Sequence, residues 1–412
     1  MLSIFTAFFL STSLGHANPS EVDVGVYGSW QTKMWNGETW LQQQRLHLRT
    51  SVEWDDVEVY IDLMDARVWG SEISHKTNKD TLANLYAGYV KFPIGTIGQV
   101  EHTLKVGRQE VILNDQRYFA PGPWALGGRS FDAVVLEGVW NTGQWRAALM
   151  QIDNGGTFTT TDDNGEVTAT ETSNGDQILI INAEQHYENL KIKPYFIHQR
   201  NNATESNLDL QRRIYSPGLL ITSKAKPIFY TLEGTYQWGM NSQIEEHLAW
   251  MGSGEVGYQQ DRFKASLYAE HNSGDGDPND GVNNNLENFI GRYHGLRGWS
   301  DQVGGINLRD YALRVQLPVK DKITGKIEAH QFQMDQPTGN LYTFNSGLVG
   351  TADANNTNRN LGKELDLLLV HKPFAGIAMK WGHSIFMPEG AKQTFAGADP
   401  IHFSYLWMTV QK

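Results

Sequence analysis

The sequence contains no cysteine among its 412 residues, which excludes disulfide bonds and thiolate metal sites. It has no surplus of positive charge either. The net charge is -12 at pH 7, which argues against nucleic acid as a partner, because nucleic-acid-binding proteins usually carry a basic surface. After the N-terminus no run of 18 apolar residues occurs, and the mean hydropathy is only -0.44. Transmembrane helices are therefore excluded.

The first 17 residues are typical of a secretory signal peptide. Residues Ile4 to Leu10 are apolar, and Gly15-His16-Ala17 provides a small-x-small cleavage site before Asn18. No Lys or Arg stands near the start, which departs from the usual pattern, and an N-terminal core strand is the alternative. We expect a signal peptide at residues 1–17, cleaved near Ala17, and a mature chain at residues 18–412 that crosses the inner membrane.

The stretch Gln42–Leu63 alternates polar and apolar residues on both sides of a turn at Asp55-Asp56. A period of two predicts β-strands with two unlike faces. Arg45, His47 and Arg49 would share one face, and the intervening leucines the other. The leucine face would contact either a protein core or lipid.

About 18 such segments occupy the mature chain, most of them near the length that a tilted strand needs to cross a bilayer. Links from even to odd segments are mostly short, as at Glu188-Asn189, whereas links from odd to even segments are mostly long, as at Ser273–Ile306. Outer-membrane barrels have short periplasmic turns and long extracellular loops. The sequence thus predicts an all-β fold, a transmembrane antiparallel β-barrel in a Gram-negative outer membrane. A soluble β-sandwich or propeller is the alternative.

The outward faces of these segments are expected to be apolar and to contact outer-membrane lipid. Leu365, Leu367 and Leu369 alternate with acidic residues, and similar alternation occurs throughout the chain. Phe403 to Trp407 places three aromatic residues on one face of the last segment, which suits the aromatic girdle of such barrels.

Three groups of motifs occur in order along the chain. Leu104–Trp140 contains Gly107-Arg108-Gln109, Asp115-Gln116-Arg117, Trp124 and Arg129-Ser130-Phe131-Asp132. His271–Gly295 contains a Ser-Gly-Asp loop, followed by Trp299 and Asp301, and Leu361–Pro373 contains Gly-Lys-Glu-Leu-Asp. Together these motifs resemble the alginate export family of outer-membrane barrels, and the resemblance spans nearly the whole mature chain.

The resemblance implies a barrel of about 18 strands that passes an anionic polysaccharide, alginate in the type members, through a lumen rich in Arg and Lys. Arginine suits this task because its planar fork binds carboxylates and stays charged. Periplasmic export partners would then be possible. The motifs place Arg108, Arg117 and Arg129 in the anion path, and alternation places Arg45, His47, Arg49 and Arg146 there.

Alternatives remain open for these residues and for the function. The arginines would instead hold the wall together by pairing with lumenal acids. The available partners are Asp62, Asp132, Glu233, Glu255 and Glu364. The export-type channel would move the polymer or smaller sugar acids, whereas a general or substrate-specific porin for small solutes would use the same architecture. A barrel hydrolase is a third possibility, but no Gly-x-Ser-x-Gly or His-Glu-x-x-His motif occurs, and we expect neither an enzyme nor a cofactor.

The loop Ser273–Gly281 is a candidate calcium site. Asp275, Asp277 and Asp280 lie close together on a turn, and Ca²⁺ prefers such oxygen ligands. The alternative is a solvated turn, because Asp, Asn and Gly are all favoured in turns.

Overall fold

The structure is a computed structural model that describes residues 21–70, 84–152, 156–161, 167–203, 212–242, 245–350 and 354–412. The expected signal peptide, residues 1–17, lies outside the described residues. The described residues form a single closed antiparallel barrel whose wall contains 18 strands.

Each predicted segment corresponds to one wall strand. In chain order the strands are β1 (Glu21–Trp35), β2 (Thr39–Trp54), β3 (Val57–Val68), β4 (Asn84–Ile97), β5 (Val100–Gln109), β6 (Phe131–Trp140), β7 (Gly143–Gln151), β8 (Val167–Tyr187), β9 (Leu190–Ala203), β10 (Arg212–Ser223), β11 (Ile228–Met240), β12 (Glu246–Gln260), β13 (Phe263–Asn272), β14 (Leu308–Lys320), β15 (Ile323–Gln333), β16 (Asn360–His371), β17 (Ile377–Pro388) and β18 (Ile401–Gln411).

The barrel closes because the first strand pairs with the last. β1 is hydrogen-bonded to β2 on one side and to β18 on the other, with Trp35 opposite Phe403 and Tyr27 opposite Gln411. Every other wall strand pairs with its neighbours in the chain. A closed ring leaves no unpaired strand edge, which a hydrocarbon environment requires.

The two faces of each strand differ as the alternation predicted. On β16, Leu365 and Leu367 are 48% and 40% exposed on the outward face, whereas Glu364 and Asp366 are each only 2% exposed toward the lumen. On β2, Leu48 points outward, and Arg45 and His47 are buried inside. The leucine face of the stretch Gln42–Leu63 therefore belongs to the outer wall.

The last strand departs from one expectation. Phe403, Tyr405 and Trp407 are buried inside the barrel, and Leu406 is the outward residue between them. The three rings pack against Trp124. The prediction that they form a lipid-facing girdle is wrong. The three side chains point inward because they pack against Trp124, and the strand pattern gave no sign of this partner.

Short turns and long loops lie at opposite ends of the barrel. All turns from an even strand to the next odd strand have two to five residues. Asp55 and Asp56, between β2 and β3, have φ values of 44° and 73°, the left-handed values of a two-residue hairpin turn. The links from β1 to β2, residues 36–38, and from β11 to β12, residues 241–245, are short exceptions at the other end.

Smaller elements lie at the long-loop end. Gly156–Thr161 pairs with the start of β8, which makes β8 longer than predicted. A two-residue strand, Val282–Asn283, pairs with β12, and the loop strands Leu341–Tyr342 and Leu348–Gly350 pair with each other. One short helix among the described residues, Ala391–Ala396, precedes β18. None of the helices among the described residues is long and apolar enough to cross a membrane.

Candidate functional site

Two long loops turn inward and meet inside the lumen. Residues 110–130 connect β5 to β6, and residues 273–307 connect β13 to β14. Phe119 and Ile290 form a parallel bridge, and the amide nitrogen of Ile290 lies 2.9 Å from the carbonyl oxygen of Tyr118. These contacts join the two segments into one inserted unit, which we call the inner loops.

On one side the inner loops pack against an apolar wall. Tyr118, Phe119 and Phe289 belong to a buried cluster with inward side chains of β6, β7, β8 and β9. The wall members from these strands are Phe131, Ala133, Val135, Ala148, Met150, Ile178, Ile180, Tyr195 and Ile197. This burial stabilises the inserted position by roughly 25 cal/mol for each Å² removed from water. The wall formed by β11 to β16 instead presents buried polar side chains such as Glu233, Asp310 and Glu364, and we call this side the polar half of the lumen.

Arg117 anchors the inner loops to the polar half. Its Nε lies 2.7 Å from Oε2 of Glu233 on β11, and its Nη1 lies 2.9 Å from Oε2 of Glu270 on β13. Nη2 also donates to the hydroxyl of Tyr268 at 3.2 Å. Burial disfavours the charge of Arg117, but Glu270, Tyr268 and Glu233 raise its pKa well above the usual value. Arg117 therefore remains charged, and Glu233 and Glu270 balance its charge where it anchors the inner loops.

Three further predicted arginines donate to main-chain carbonyls of the inner loops. Arg45 on β2 donates through Nη1 and Nη2 to two carbonyls of the first loop, each at 3.3 Å. Arg129 donates to the carbonyl of Gly291 at 2.6 Å, and Arg146 on β7 donates to the carbonyl of Ile112. These contacts hold the loops in place, as an anchoring role requires.

His47 and Arg49 on β2 share one carboxylate on β3. Oδ1 of Asp62 lies 2.7 Å from Nδ1 of His47, and Oδ2 lies 3.1 Å from Nε of Arg49. His47 and Asp62 are buried, whereas the Arg49 side chain is 29% exposed. Together with the Arg117–Glu233 pair, this cluster matches the wall-pairing alternative raised by the sequence.

Arg108 lies on the outward face of β5. Val106, two positions earlier, and Val134 on the adjacent strand are 41% and 44% exposed on that face. The guanidinium of Arg108 pairs with Asp132 at 3.3 Å, and both side chains are exposed. The prediction of a lumenal Arg108 is wrong, because it followed the motif and not the two-residue alternation of the strand itself.

Several lysines point into the lumen in the half of the barrel nearer the short turns, and we consider six of them together. We call them the lysine belt: Lys91, Lys105, Lys193, Lys264, Lys326 and Lys380. Their direction follows from their neighbours, since Ile327 and Trp381 are exposed on the outer wall and adjacent strand residues point to opposite faces. The belt members come from β4, β5, β9, β13, β15 and β17.

The belt is only partly neutralised. Three members pair with carboxylates at N···O distances of 3.0–4.0 Å, in the pairs Lys91–Glu58, Lys193–Glu184 and Lys264–Glu255. The other three have no ion-pair partner among the described residues and lie over aromatic rings, Lys105 over Tyr89, Lys326 over Trp299 and Lys380 over Trp407. Unpaired cations inside a low-dielectric wall focus a positive potential that attracts anions.

Arg292, in the second inner loop, adds a cation beside the belt. Its charge interacts with Arg314 on β14 and with Lys326. Burial lowers the pKa of Arg292, and the like charge of Arg314 lowers it further. Nη2 donates to the carbonyl of Gly295 at 3.3 Å, whereas Nε has no hydrogen-bond partner in the described part of the chain.

Trp124 and His294 stack where the inner loops meet. Their ring centroids are 3.5 Å apart and their planes differ by 2°. Nε1 of Trp124 donates to Oδ2 of Asp301 at 2.8 Å, and Nδ1 of His294 lies 2.9 Å from Oδ1. Burial lowers the pKa of His294 more than Asp301 raises it, so the ring is neutral at pH 7. Because a carboxylate only accepts, Nδ1 carries the proton and Nε2 is left as an acceptor.

The candidate calcium loop uses its carboxylates locally. Oδ1 of Asp275 accepts from the amide of Asp277 at 3.1 Å, and Oδ1 of Asp280 accepts from the amide of Val282 at 2.8 Å. Asp277 accepts from Asn279 in the same way. No group of three or more metal-ligating side chains occurs within the described ranges. The geometry favours the solvated turn that the sequence left as the alternative.

The lysine belt is the feature that the sequence-based prediction missed. It concentrated on arginines near recognisable motifs, although Lys264, Lys326 and Lys380 each follow a short turn and fall on the polar face of their strands. Alternation alone could have identified these positions. The absence of partners for three of the belt lysines could not have been read from the sequence.

Sequence comparison settles the family. The family described as Alginate export matches residues 34–391, which is most of the chain. The chain belongs to the alginate export family. No curated protein matches it at a significant level. Membership and fold together make this protein an outer-membrane β-barrel channel.

Solved structures show the same fold at low sequence identity. Pseudomonas aeruginosa OpdK, solved with vanillate, has a TM-score of 0.62 and 11% identity, with 96% of this chain and 99% of that chain covered. P. aeruginosa OccK2 (OpdF), solved in complex with glucuronate, has a TM-score of 0.60 and 12% identity, with coverage of 96% and 99%. P. aeruginosa OprD has a TM-score of 0.60 and 12% identity, with coverage of 96% and 97%.

Proposed function

We propose that this channel conducts carbohydrates that carry carboxylates, and that the lysine belt attracts them into the lumen. The observation that carries the proposal is the set of three belt lysines, Lys105, Lys326 and Lys380, without ion-pair partners among the described residues. A conducting site should bind its solute weakly and at several places, and separated ammonium groups provide this. The net charge of -12 does not oppose the proposal, because the local potential along the path governs recruitment.

Both a single sugar acid and a polyuronate chain satisfy this chemistry. Membership of the alginate export family supports the polyuronate. The inner loops, which lie inside the lumen against β6 to β9, support single sugar acids and short oligouronates when the loops are inserted. A solved structure of similar fold contains glucuronate, which is a sugar acid of this kind. We therefore propose sugar acids as the solutes of the inserted state.

In this proposal the predicted arginines mainly hold the inner loops beside the path, and few of them contact the solute. Arg45, Arg117, Arg129 and Arg146 each use their guanidinium to hold the inner loops. Arg49, which is 29% exposed, also retains access to the lumen while bound to Asp62. We propose the same anion path as the sequence predicted, with lysines as its main cations.

Liposome swelling tests the proposal with solutes of similar size and different charge. Vesicles containing the channel are exposed to glucuronate, glucose or glucosamine. We expect glucuronate to enter fastest and glucosamine slowest, with the difference reduced in the triple variant Lys105→Gln, Lys326→Gln, Lys380→Gln. Lys322→Gln, in an exposed turn, is the matched control. Equal rates for the three sugars would instead identify a general porin, and entry of longer oligouronates would extend the proposal to the polymer.

A further inference from the structure

The outer wall of the barrel carries two arginines side by side near its long-loop end. Arg200 on β9 and Arg213 on β10 are direct cross-strand partners, and both side chains are exposed. Their outward direction follows from the alternation, because the adjacent residues Gln199 and Ile214 are buried inside the barrel. The face that contacts lipid therefore presents two neighbouring guanidinium groups.

A layer of stacked rings on the same outer face gives the depth of the arginine pair in the membrane. His198 stacks on Tyr215 with ring centroids 4.5 Å apart, and Tyr215 stacks on Trp238 at 5.8 Å. Arg200 lies two positions beyond His198 along β9, toward the long-loop end. Arg213 lies likewise two positions beyond Tyr215 along β10. Aromatic girdles of outer-membrane barrels lie where hydrocarbon meets the headgroups, so the two arginines reach the headgroups of the outer leaflet.

The cross-strand neighbours of the arginine pair carry no charge. Arg200 lies opposite Gln177 on β8, and Arg213 lies opposite Met240 on β11. Like charges directly opposite each other on a sheet repel and destabilise it. An anion that binds both guanidinium groups removes this repulsion, and at this depth the available anions are lipid headgroups.

We propose that Arg200 and Arg213 together bind a phosphate of a lipid in the outer leaflet. In a Gram-negative outer membrane this lipid is lipid A, the anchor of lipopolysaccharide. Arginine suits phosphate because its planar fork donates parallel hydrogen bonds to two oxygens. The acyl chains of the same lipid would lie along the outer face below the pair, where Leu219 and Trp238 are each 40% exposed. The inference is independent of the proposed function, because it concerns the outer wall and not the lumen.

The test is titration of the detergent-solubilised full-length channel with lipid A, dephosphorylated lipid A or inorganic phosphate, followed by native mass spectrometry. We expect lipid A to bind at least about tenfold more tightly than either comparison compound, because each of these lacks the phosphate or the acyl chains. Comparable binding of dephosphorylated lipid A would show that the acyl chains alone attach, and comparable binding of inorganic phosphate would show a site without lipid preference. Either result would overturn the proposal, and neither depends on whether a variant folds.

Variants then locate the lipid site on the wall. The double variant Arg200→Gln, Arg213→Gln removes both charges, and we expect it to weaken lipid A binding about tenfold, to the level of the dephosphorylated lipid. Lys322→Gln, in an exposed turn at the opposite end of the barrel, is the matched control and should bind lipid A normally. The electrophoretic mobility of unheated protein shows that each variant keeps a folded barrel. Unchanged lipid A binding in the folded double variant would contradict the assignment of the site to this pair.

Discussion

Nε of Arg117 lies 2.7 Å from the carboxylate of Glu233, although 116 residues separate them in the chain. The pair joins an inner loop to the far wall of the barrel, and Glu270 holds a second nitrogen of the same guanidinium. All three side chains are buried. The inserted position of the loop therefore depends on a buried charge network, and removing Arg117 would leave Glu233 without its cation.

Arg117→Ala should destabilise the barrel and release the first inner loop. Removing one member of a buried ion pair costs about 3–5 kcal/mol. The free energy of unfolding in lipid vesicles, measured by urea titration, checks this. Arg108→Ala is the control, because its exposed pair with Asp132 should contribute only about 0–1 kcal/mol. Equal losses for the two variants would contradict the anchoring role of Arg117.

Reversing the charge of Lys326 and Lys380 to Glu should shift the channel from anion toward cation preference. Both lysines lack ion-pair partners among the described residues, so the reversal changes the potential of the path directly. Reversal potentials in planar bilayers measure the shift. Arg108→Glu, on the outward face, should leave selectivity as it is. A larger effect of Arg108→Glu would place the anion path elsewhere.

Glu364→Gln should loosen the second inner loop. One carboxylate oxygen accepts the amides of Trp299 and Ser300 at 2.7 and 2.8 Å, and the other accepts the Ser300 hydroxyl at 2.5 Å. An amide supplies one acceptor oxygen and no charge, so docking should weaken by about 1–3 kcal/mol. Hydrogen–deuterium exchange at residues 298–300 should rise, whereas Asp132→Asn should leave it unchanged. Unaltered exchange in Glu364→Gln would show that this contact does not hold the second inner loop.

Acidification should weaken the packing around His294. Burial lowers its pKa below the usual 6.5, with Asp301 acting in the opposite direction. The unfolded chain therefore binds the proton more readily, and the stabilisation from a neutral His294 is complete above pH 6.5 and is lost as the pH falls below it. Unfolding free energies at pH 5 and 8 should differ more in the native protein than in His294→Phe, which keeps an aromatic ring on Trp124. Equal pH dependence of the two proteins would contradict the prediction.

Cleavage of the signal peptide near Ala17 remains a prediction of the sequence. The apolar stretch Ile4–Leu10 and the small residues Gly15 and Ala17 motivate it. The intact mass of protein purified from outer membranes should correspond to a chain beginning at Asn18. A mass that includes residues 1–17 would show that they are retained.

Much of the fold could be predicted from the sequence, because a barrel wall is a local pattern repeated. Period-two alternation identified every wall strand, and loop lengths identified the two ends. The interior could not be predicted in the same way. The contacts of Trp124 with Tyr405 and of Arg117 with Glu270 join residues far apart in the chain, and nothing local indicates which long loop turns inward. Arg108 was wrongly predicted to point into the lumen, because the motif was given more weight than the two-residue alternation of β5.

The central claim is that the lumen of this channel favours anions because of its lysine belt. Single-channel reversal potentials of the unaltered protein, measured across a planar bilayer with a KCl gradient, test it most directly. The account predicts a reversal potential of the sign that corresponds to preferential chloride passage, and its magnitude should fall when glucuronate is added. A reversal potential of the sign for potassium preference would contradict the account.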